Sequence, residues 1–175
     1  MFRSLRFRLA VAYVFATTLT FVLPAFSTKP KATLTDNLTK QSDVIVVGKV
    51  GHLTSAWTEG KKMIETRVSV SVDQTIKGSI EERSITVVVP GGEIDGVGEW
   101  YSHTPRFGQD EDIVLFANKD QSGQYRVSGG EFGKVVIKKD VKTGSKIIQN
   151  FGTLDEYTST IKKSMQSADD AAGHH

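Results

Sequence analysis

Apolar residues in the middle of the chain recur with the two-residue period of β-strands. In residues 64–73, apolar side chains and Thr66 alternate with polar or charged ones, which predicts a long strand with one buried face. Residues 44–50 and 112–117 are apolar on both faces, as in strands covered on both sides. Shorter strands are expected at 84–89, 124–127, 134–139 and 146–148. Seven or so short strands with glycine-containing turns indicate a small closed barrel or a sandwich.

Two polar stretches interrupt this series of strands. Residues 52–62 contain Gly60 and are expected to form a hairpin loop that carries Trp57. Residues 93–108 are rich in glycine and follow no strand period, so we expect an irregular loop whose glycines adopt positive φ. A phosphate-binding loop is not indicated there, because the G-K-[ST] ending is missing.

Helices are predicted at the two ends of the β region. Residues 34–41 are expected to form a short helix with Thr35 as its N-cap. Residues 155–166 predict a longer helix, with Thr153 or Asp155 near its N-cap. Four side chains form its apolar stripe: Leu154, Tyr157, Ile161 and Met165.

The first 27 residues have the layout of a secretory signal peptide. Three arginines precede an uncharged, mostly apolar run at 9–23, and the small residues Ala25 and Ser27 follow at cleavage-site spacing. An uncleaved membrane anchor is the alternative, although three threonines dilute the run and a spanning helix needs roughly 20 apolar residues. Both interpretations place the rest of the chain outside the cytoplasm. The predicted parts are a signal peptide at 1–27, a linker and short helix at 28–41, a β domain at 42–152, and a helix with a polar tail at 153–175.

Composition narrows the classes of function. The apolar fraction of 38% and charged fraction of 24% are those of a globular protein. The absence of cysteine excludes disulfides, a thiolate zinc site and a cysteine nucleophile. Without the three arginines of the signal segment, 19 basic side chains remain against 20 acidic ones, and the formal charge changes from +2 to −1. This balance lacks the basic excess of a nucleic-acid binder, and no membrane association is predicted after signal cleavage.

The order of motifs in the β region is that of a known family. Ser42–Val50 (SDVIVVGKV) opens the region, the alternating strand ends in Ile76-Lys77-Gly78, and Val114-Leu115-Phe116 follows the loop at Gly108. Residues 42–137 therefore resemble a netrin-like domain, the OB-fold class that includes the tissue inhibitors of metalloproteinases. The resemblance implies a mainly β fold: a small closed antiparallel barrel with a short N-terminal helix and a C-terminal helix.

Three further motifs are similar to those of cysteine-free secreted bacterial relatives of that shape. They are Pro90-Gly91-Gly92, Pro105-Arg106-Phe107 and Gly130–Lys134. The resemblance extends to fold and not to mechanism. Tissue inhibitors of metalloproteinases place an N-terminal cysteine on the protease zinc, and this chain has none. Their inhibitory mechanism therefore transfers to no residue here.

No catalytic residue, cofactor or metal site is predicted. The four histidines are His52, His103, His174 and His175, and their spacing matches no zinc motif. His103 could gather with Glu93, Asp95 or Glu99 around one loop, but nothing in the spacing demands a metal site there. A hydrolase built on residues 93–112 is left open, and its sign would be a pocket that joins His103 to an acidic residue and a hydroxyl. Residues 110–112 are acidic, lack the EF-hand pattern and are expected to cap a turn.

Aromatic residues in the predicted loops are the candidates for partner binding. This tentative site comprises Trp57, Trp100, Tyr101, His103 and Phe107. The alternative is that these rings close the ends of the barrel. A basic stretch also lies near the last hairpin, and is expected to guard an edge strand against pairing or to bind an acidic wall polymer or lipid head groups; its members are Lys134, Lys138, Lys139, Lys142 and Lys146.

We therefore expect a secreted, non-enzymatic domain that recognises an extracellular protein or a cell-wall polymer through loop aromatics. An extracellular protease inhibitor or regulator is the first alternative, implied by the resemblance alone. A hydrolase using the loop at 93–112 is the second. The oligomeric state is left open.

Overall fold

A computed structural model of the protein describes residues 30–172. The described chain is mainly β, with an α-helix at each end. The helices are α1 (Pro30–Gln41) and α2 (Leu154–Ala172). The strands are β1 (Val44–Trp57), β2 (Ile64–Lys77), β3 (Ser84–Pro90), β4 (Gly92–Ile94), β5 (Val97–Glu99), β6 (Asp112–Lys119), β7 (Tyr125–Val127), β8 (Lys134–Lys139), β9 (Lys146–Ile148) and β10 (Gly152–Thr153).

Five strands close into a barrel because β1 pairs on both of its edges. It pairs antiparallel with β2 and with β6, and the order around the barrel is β1-β2-β3-β7-β6 and back to β1. Strands β8, β9 and β10 continue the sheet outward from β6. The prediction of a small closed barrel with two flanking helices is confirmed. One detail differs: β3 and β7 meet in parallel, at Val87 and Tyr125.

The first half of β1 is apolar on both faces because each face packs into a different core. Val44, Val46 and Val50 point into the barrel. Ile45 and Val47 point outward, into a second cluster beneath the helices. This part of β1 is therefore apolar on both faces, whereas a half-buried strand is apolar on one face only.

The two cores are built mainly from aliphatic side chains. The barrel interior is dominated by valine, isoleucine and leucine, as the cysteine-free sequence requires. The outer cluster brings Phe116 of β6 against Leu38 of α1 and the apolar stripe of α2. Phe151 and Tyr157 add an edge-to-face ring contact, with centroids 4.8 Å apart. The helices are therefore packed onto the outside of the barrel.

Helix α2 begins with a reciprocal cap. The Glu156 N–H donates to the Thr153 hydroxyl (3.2 Å), and the Thr153 N–H donates to the Glu156 carboxylate (2.8 Å). This capping box satisfies two backbone donors that the helix leaves without partners. Thr153 is one of the two residues predicted near this cap, the other being Asp155. The predicted apolar stripe of the helix packs into the outer cluster.

The N-terminal helix differs from its prediction. It covers Pro30–Gln41 and therefore includes four residues before the predicted start. Thr35 is consequently inside the helix and is not its N-cap. It is buried, and its backbone carbonyl accepts a hydrogen bond from the Thr39 hydroxyl (2.7 Å).

Three other predictions about the strands were wrong. Strand β1 continues through residues 52–57, which were expected to be a loop, because pairing with β2 extends as far as Trp57 and Ile64. Residues 93–108 were expected to be irregular, yet β4 and β5 form a short hairpin there. Strand β8 is no edge strand, since β6 and β9 pair with its two sides.

The predicted signal peptide at 1–27 and the last three residues, with His174 and His175, lie outside the described residues. In the described part of the chain, no helix combines the length and apolar character needed to cross a membrane.

Gly48 allows β1 and β2 to approach closely, which yields a test of the barrel. A Cβ at this position would lie 2.2 Å from the backbone oxygen of Ser71, so the strands would have to separate. We expect Gly48→Ala to lower the free energy of unfolding by about 2–3 kcal/mol, measured by urea denaturation. Gly51→Ala is the control, because its nearest neighbour would lie at an ordinary 3.5 Å, and it should stay within about 1 kcal/mol of the wild type. Equal stability of the two variants would contradict this account.

Candidate functional site

A pocket of about 310 Å³ opens at one end of the barrel. Its floor is apolar and is formed by Leu53 of β1, Val68 of β2 and Val89 of β3. The hairpin of β4 and β5, with the residues that follow it, forms one wall, and residues 104–107 form another. The pocket therefore lies between the barrel core and two connecting segments that follow β3 in the sequence.

The hairpin is fixed to the barrel by hydrogen bonds at Ile64, the first residue of β2. The Gly91 N–H donates to the Ile64 carbonyl (2.7 Å), and the Ile64 N–H donates to the Glu99 carboxylate (2.8 Å). The Tyr101 hydroxyl donates to the same Glu99 oxygen (3.1 Å). This hydrogen bond is the main reason that the pKa of Tyr101 lies above its ordinary value. Glu99 therefore positions both the hairpin and the Tyr101 ring.

The hairpin passes so close to two hydroxyls of the barrel that Gly92 could not carry a side chain. The hydroxyls of Ser55 and Thr66 lie 2.9 Å apart, and Thr66 donates to the Gly91 carbonyl (2.7 Å). A Cβ at Gly92 would lie 2.2 Å from the Thr66 hydroxyl and 2.5 Å from that of Ser55, and its φ is +134°. Glycine is therefore required where the hairpin crosses these strands.

Exposed aromatic rings form the rim of the pocket. Trp100 is 64% exposed and Tyr101 is 45% exposed. The Arg106 guanidinium stacks over the Trp100 ring, 4.9 Å from its centre. Phe107 differs from these rings, because it is partly buried and packs against the barrel core. The rim thus combines two accessible rings with one cation.

The wall at residues 104–107 is held by a nearly buried lysine. The Lys134 side chain is 7% exposed, and its ammonium donates to the Glu111 carboxylate (2.5 Å) and to the Arg106 carbonyl. It also lies 5.1 Å from the centre of the Phe107 ring. The Gly108 N–H donates to the same Glu111 oxygen (2.9 Å). Lys134 and Glu111 therefore fix the segment that carries Arg106.

The ionisation of Glu111 depends on its contact with Lys134. Burial by itself raises the pKa of Glu111, but three effects outweigh it: the hydrogen bond from Lys134, the bond from Gly108 and the Lys134 charge. They hold the pKa of Glu111 below its ordinary value. The carboxylate therefore favours the folded state in its ionised form.

The structure brings together three of the five predicted binding residues. Trp100, Tyr101 and Phe107 line the pocket. Trp57 is half-buried at the end of β1 and does not line it. The His103 side chain is 80% exposed, lies outside the pocket and places Nδ1 3.4 Å from the Glu131 carboxylate.

Sequence reasoning missed several residues of the site. Arg106 belongs to the motif Pro105-Arg106-Phe107, but its position over Trp100 depends on the path of the loop. Ser55 was placed in a predicted loop, and it lies on β1. Lys134 was interpreted as an edge guard, whereas it pairs with Glu111, 23 residues earlier in the chain. No local signal in the sequence announces a contact at that separation.

The arrangement required by the hydrolase alternative is not formed at His103. The pocket contains the hydroxyls of Ser55 and Thr66 and the carboxylate of Glu93, but His103 is paired with Glu131 outside it. The hydrogen bond and the ion pair of His103 are with Glu131, and neither involves Glu93, Asp95 or Glu99. Among residues 30–172, no group of three histidine or acidic side chains converges as a metal site would. Glu111, within the acidic run at 110–112, does cap a turn, through Gly108.

Comparisons with models of known protein families and with curated proteins find no match to this chain. Membership of the netrin-like family therefore stays a prediction. The barrel and its pocket are defined by the coordinates of the described residues alone.

Substitution of Gly92 tests the seating of the hairpin. Gly92→Ala forces a methyl group onto two hydroxyls, whereas Gly96→Ala at the hairpin turn meets no atom within 4 Å and adds only the strain of its φ of +77°. We expect Gly96→Ala to cost about 1–2 kcal/mol of folding free energy and Gly92→Ala about 2 kcal/mol more. Urea denaturation of both variants measures the difference. A larger loss for Gly96→Ala would show that the hairpin is not seated on Ser55 and Thr66.

The ion pair behind the pocket wall predicts a pH dependence. A carboxyl whose pKa is lowered in the folded state stabilises it above the ordinary pKa, and that contribution is lost as the pH falls through the folded value. We expect Glu111→Gln to cost about 1–2 kcal/mol at pH 7 and progressively less towards pH 3. Thermal unfolding of both proteins across this range measures the gap. Glu81→Gln, at an exposed site, is the control, and a pH-independent gap for Glu111→Gln would refute the assignment.

Proposed function

We propose that the protein is an extracytoplasmic, non-enzymatic binding domain that recognises a protein or cell-wall partner at the end of its barrel. One observation carries this proposal: two large aromatic rings, Trp100 and Tyr101, are exposed at the mouth of an apolar pocket. Exposed aromatic rings beside a concave apolar surface are typical of recognition sites.

The aromatic residues divide between a structural and a recognition role. Phe107 packs on the barrel core and therefore closes the barrel end, as the alternative interpretation expected of all these rings. Trp100 and Tyr101 leave most or much of their surface in solvent, although such rings favour burial. Hydrogen bonding through Glu99 and stacking with Arg106 keep them in place. A rim that is ordered before binding loses less conformational entropy on association.

Two further features support the location and type of the domain. The first 27 residues have the composition of a signal peptide, and the chain has no cysteine that an oxidising compartment would cross-link. The barrel order β1-β2-β3-β7-β6, closed by the double pairing of β1, is consistent with an OB-type Greek-key barrel of the netrin-like class. We propose that class for this domain.

Replacement of Trp100 tests the function. The immobilised protein is exposed to an envelope and culture-medium fraction, and the retained proteins and wall fragments are quantified. We expect Trp100→Ala to reduce specific retention about tenfold, as for an aromatic hot spot worth more than 1 kcal/mol. Phe132→Ala is the matched control, because this ring is also exposed (53%) but does not line the pocket.

Melting temperatures equal to that of the wild type verify that both variants are folded. Equal retention by wild type and Trp100→Ala would refute the proposed site. Equal losses in the two variants would indicate adsorption through any exposed ring and would refute it as well.

A further inference from the structure

We propose that the pocket binds an extended peptide segment, which places an apolar side chain on the floor and an acidic group on Arg106. This inference rests on the proposed binding function and specifies the chemistry of the ligand. Three observations carry it: the size and character of the floor, the state of Arg106, and the unpaired edge of β1.

The floor suits one or two apolar side chains. Leu53, Val68 and Val89 supply aliphatic surface, and Phe107 adds a ring from the loop wall. A volume near 310 Å³ is at the lower end of the range for ligand pockets, about 300–1,000 Å³. A large cofactor would not fit, whereas the side chain of a leucine or a phenylalanine would.

Arg106 is a pocket-lining cation without an ion pair among the described residues. Among residues 30–172, its guanidinium forms no ion pair or hydrogen bond and lies over the Trp100 ring. Arg67 and Arg83 likewise form no ion pair within this range, whereas Arg126 pairs with Glu65 and Asp120. Arg106 differs from the other unpaired arginines because it lines the apolar pocket beside Trp100. The guanidinium lies over the ring, and none of its N–H groups is used by another described residue, so they are available to a carboxylate. Arg106 therefore provides complementary charge for an acidic ligand.

The neighbouring acidic groups do not neutralise Arg106. Glu99 accepts hydrogen bonds from the Ile64 N–H and the Tyr101 hydroxyl. Glu93 also lines the pocket, but it is exposed on β4 and forms no ion pair with Arg106. A ligand carboxylate on Arg106 would thus complete a pair that the protein itself leaves open.

The edge of β1 favours a peptide over other ligands. Strand β6 pairs with β1 as far as Lys49. This pairing, which is the seam that closes the barrel, ends where Val50 exchanges backbone hydrogen bonds with Asp110 and Glu111. In the described structure, residues 53–57 pair with β2 alone, and Leu53 and Ser55 of this stretch line the pocket. An extended peptide can add to such an edge through its backbone while one side chain enters the pocket.

A glycan fits these observations less well. Sugars need many free hydrogen-bonding groups, yet the hydroxyls of Ser55 and Thr66 already bond to each other and to Gly91. One face of Trp100 is covered by Arg106, which reduces the platform on which a sugar ring would stack. We therefore assign the site to a polypeptide, with glycan binding as an outcome of the test.

The experiment selects peptides and then measures the contribution of the acidic group. A phage library of random heptapeptides is selected on the immobilised protein, and enriched peptides are synthesised with each acidic residue or its amide counterpart. Binding is followed by the fluorescence of Trp100 in a Trp57→Phe background, since the chain has two tryptophans. We expect enriched peptides to pair an apolar residue with an acidic one.

Arg106→Gln should weaken the acidic peptide about tenfold, which corresponds to one charge-assisted hydrogen bond. It should have less than a twofold effect on the amide peptide. Arg83→Gln removes the same charge at an exposed position outside the pocket and should leave both affinities unchanged. Melting temperatures verify that the variants are folded, and Arg106→Lys provides a second variant, expected to bind with intermediate affinity.

Failure to enrich peptides, enrichment without acidic residues, or equal effects of Arg106→Gln on both peptides would overturn the inference. Binding of wall glycans in their place, lost in Trp100→Ala, would overturn it while supporting the proposed function. If Trp100→Ala retains every partner that the wild type retains, the proposed function itself fails.

Discussion

The structure depends on a single strand that must satisfy two neighbours at once. Strand β1 pairs with β2 on one edge and with β6 on the other, and its first residues fill the barrel with one face and support the helices with the other. Gly48 permits the close approach that this double pairing needs. Past Val50 the second pairing ends, so the barrel seam opens. The pocket lies at this end of the barrel, where β1 and β6 are no longer paired.

A partly buried ion pair connects the fold with the pocket. Lys134 on β8 reaches the carboxylate of Glu111 and the carbonyl of Arg106, so the outer part of the sheet fixes the loop that carries the rim cation. A nearly buried ammonium requires such partners, because its desolvation is otherwise unfavourable. Arg106 has no carboxylate partner among the described residues and is left to stack on Trp100. One cation is therefore used in positioning the loop, and the other forms no ion pair within the described residues.

The sequence was informative where local pattern and tertiary environment agree. The alternation in β2, the apolar runs of β1 and β6 and the cap and stripe of α2 all appear as predicted, because burial enforces those periods. The prediction failed at residues 52–57, where exposed His52 and Thr54 suggest a loop but pairing with β2 maintains a strand. It also failed for the hairpin of β4 and β5, since strands of three residues carry no detectable period.

The sequence by itself determined the class of fold, the two-sided burial of β1 and the aromatic composition of the candidate site, since these follow from residue type and spacing. Only the tertiary structure decided which aromatics meet. It brought Trp100, Tyr101 and Phe107 to one pocket, left Trp57 at the end of a strand and turned His103 towards Glu131. It also joined Lys134 to Glu111 and left Arg106 unpaired. These contacts depend on the path of loops between distant strands, and no local period in the sequence encodes that path.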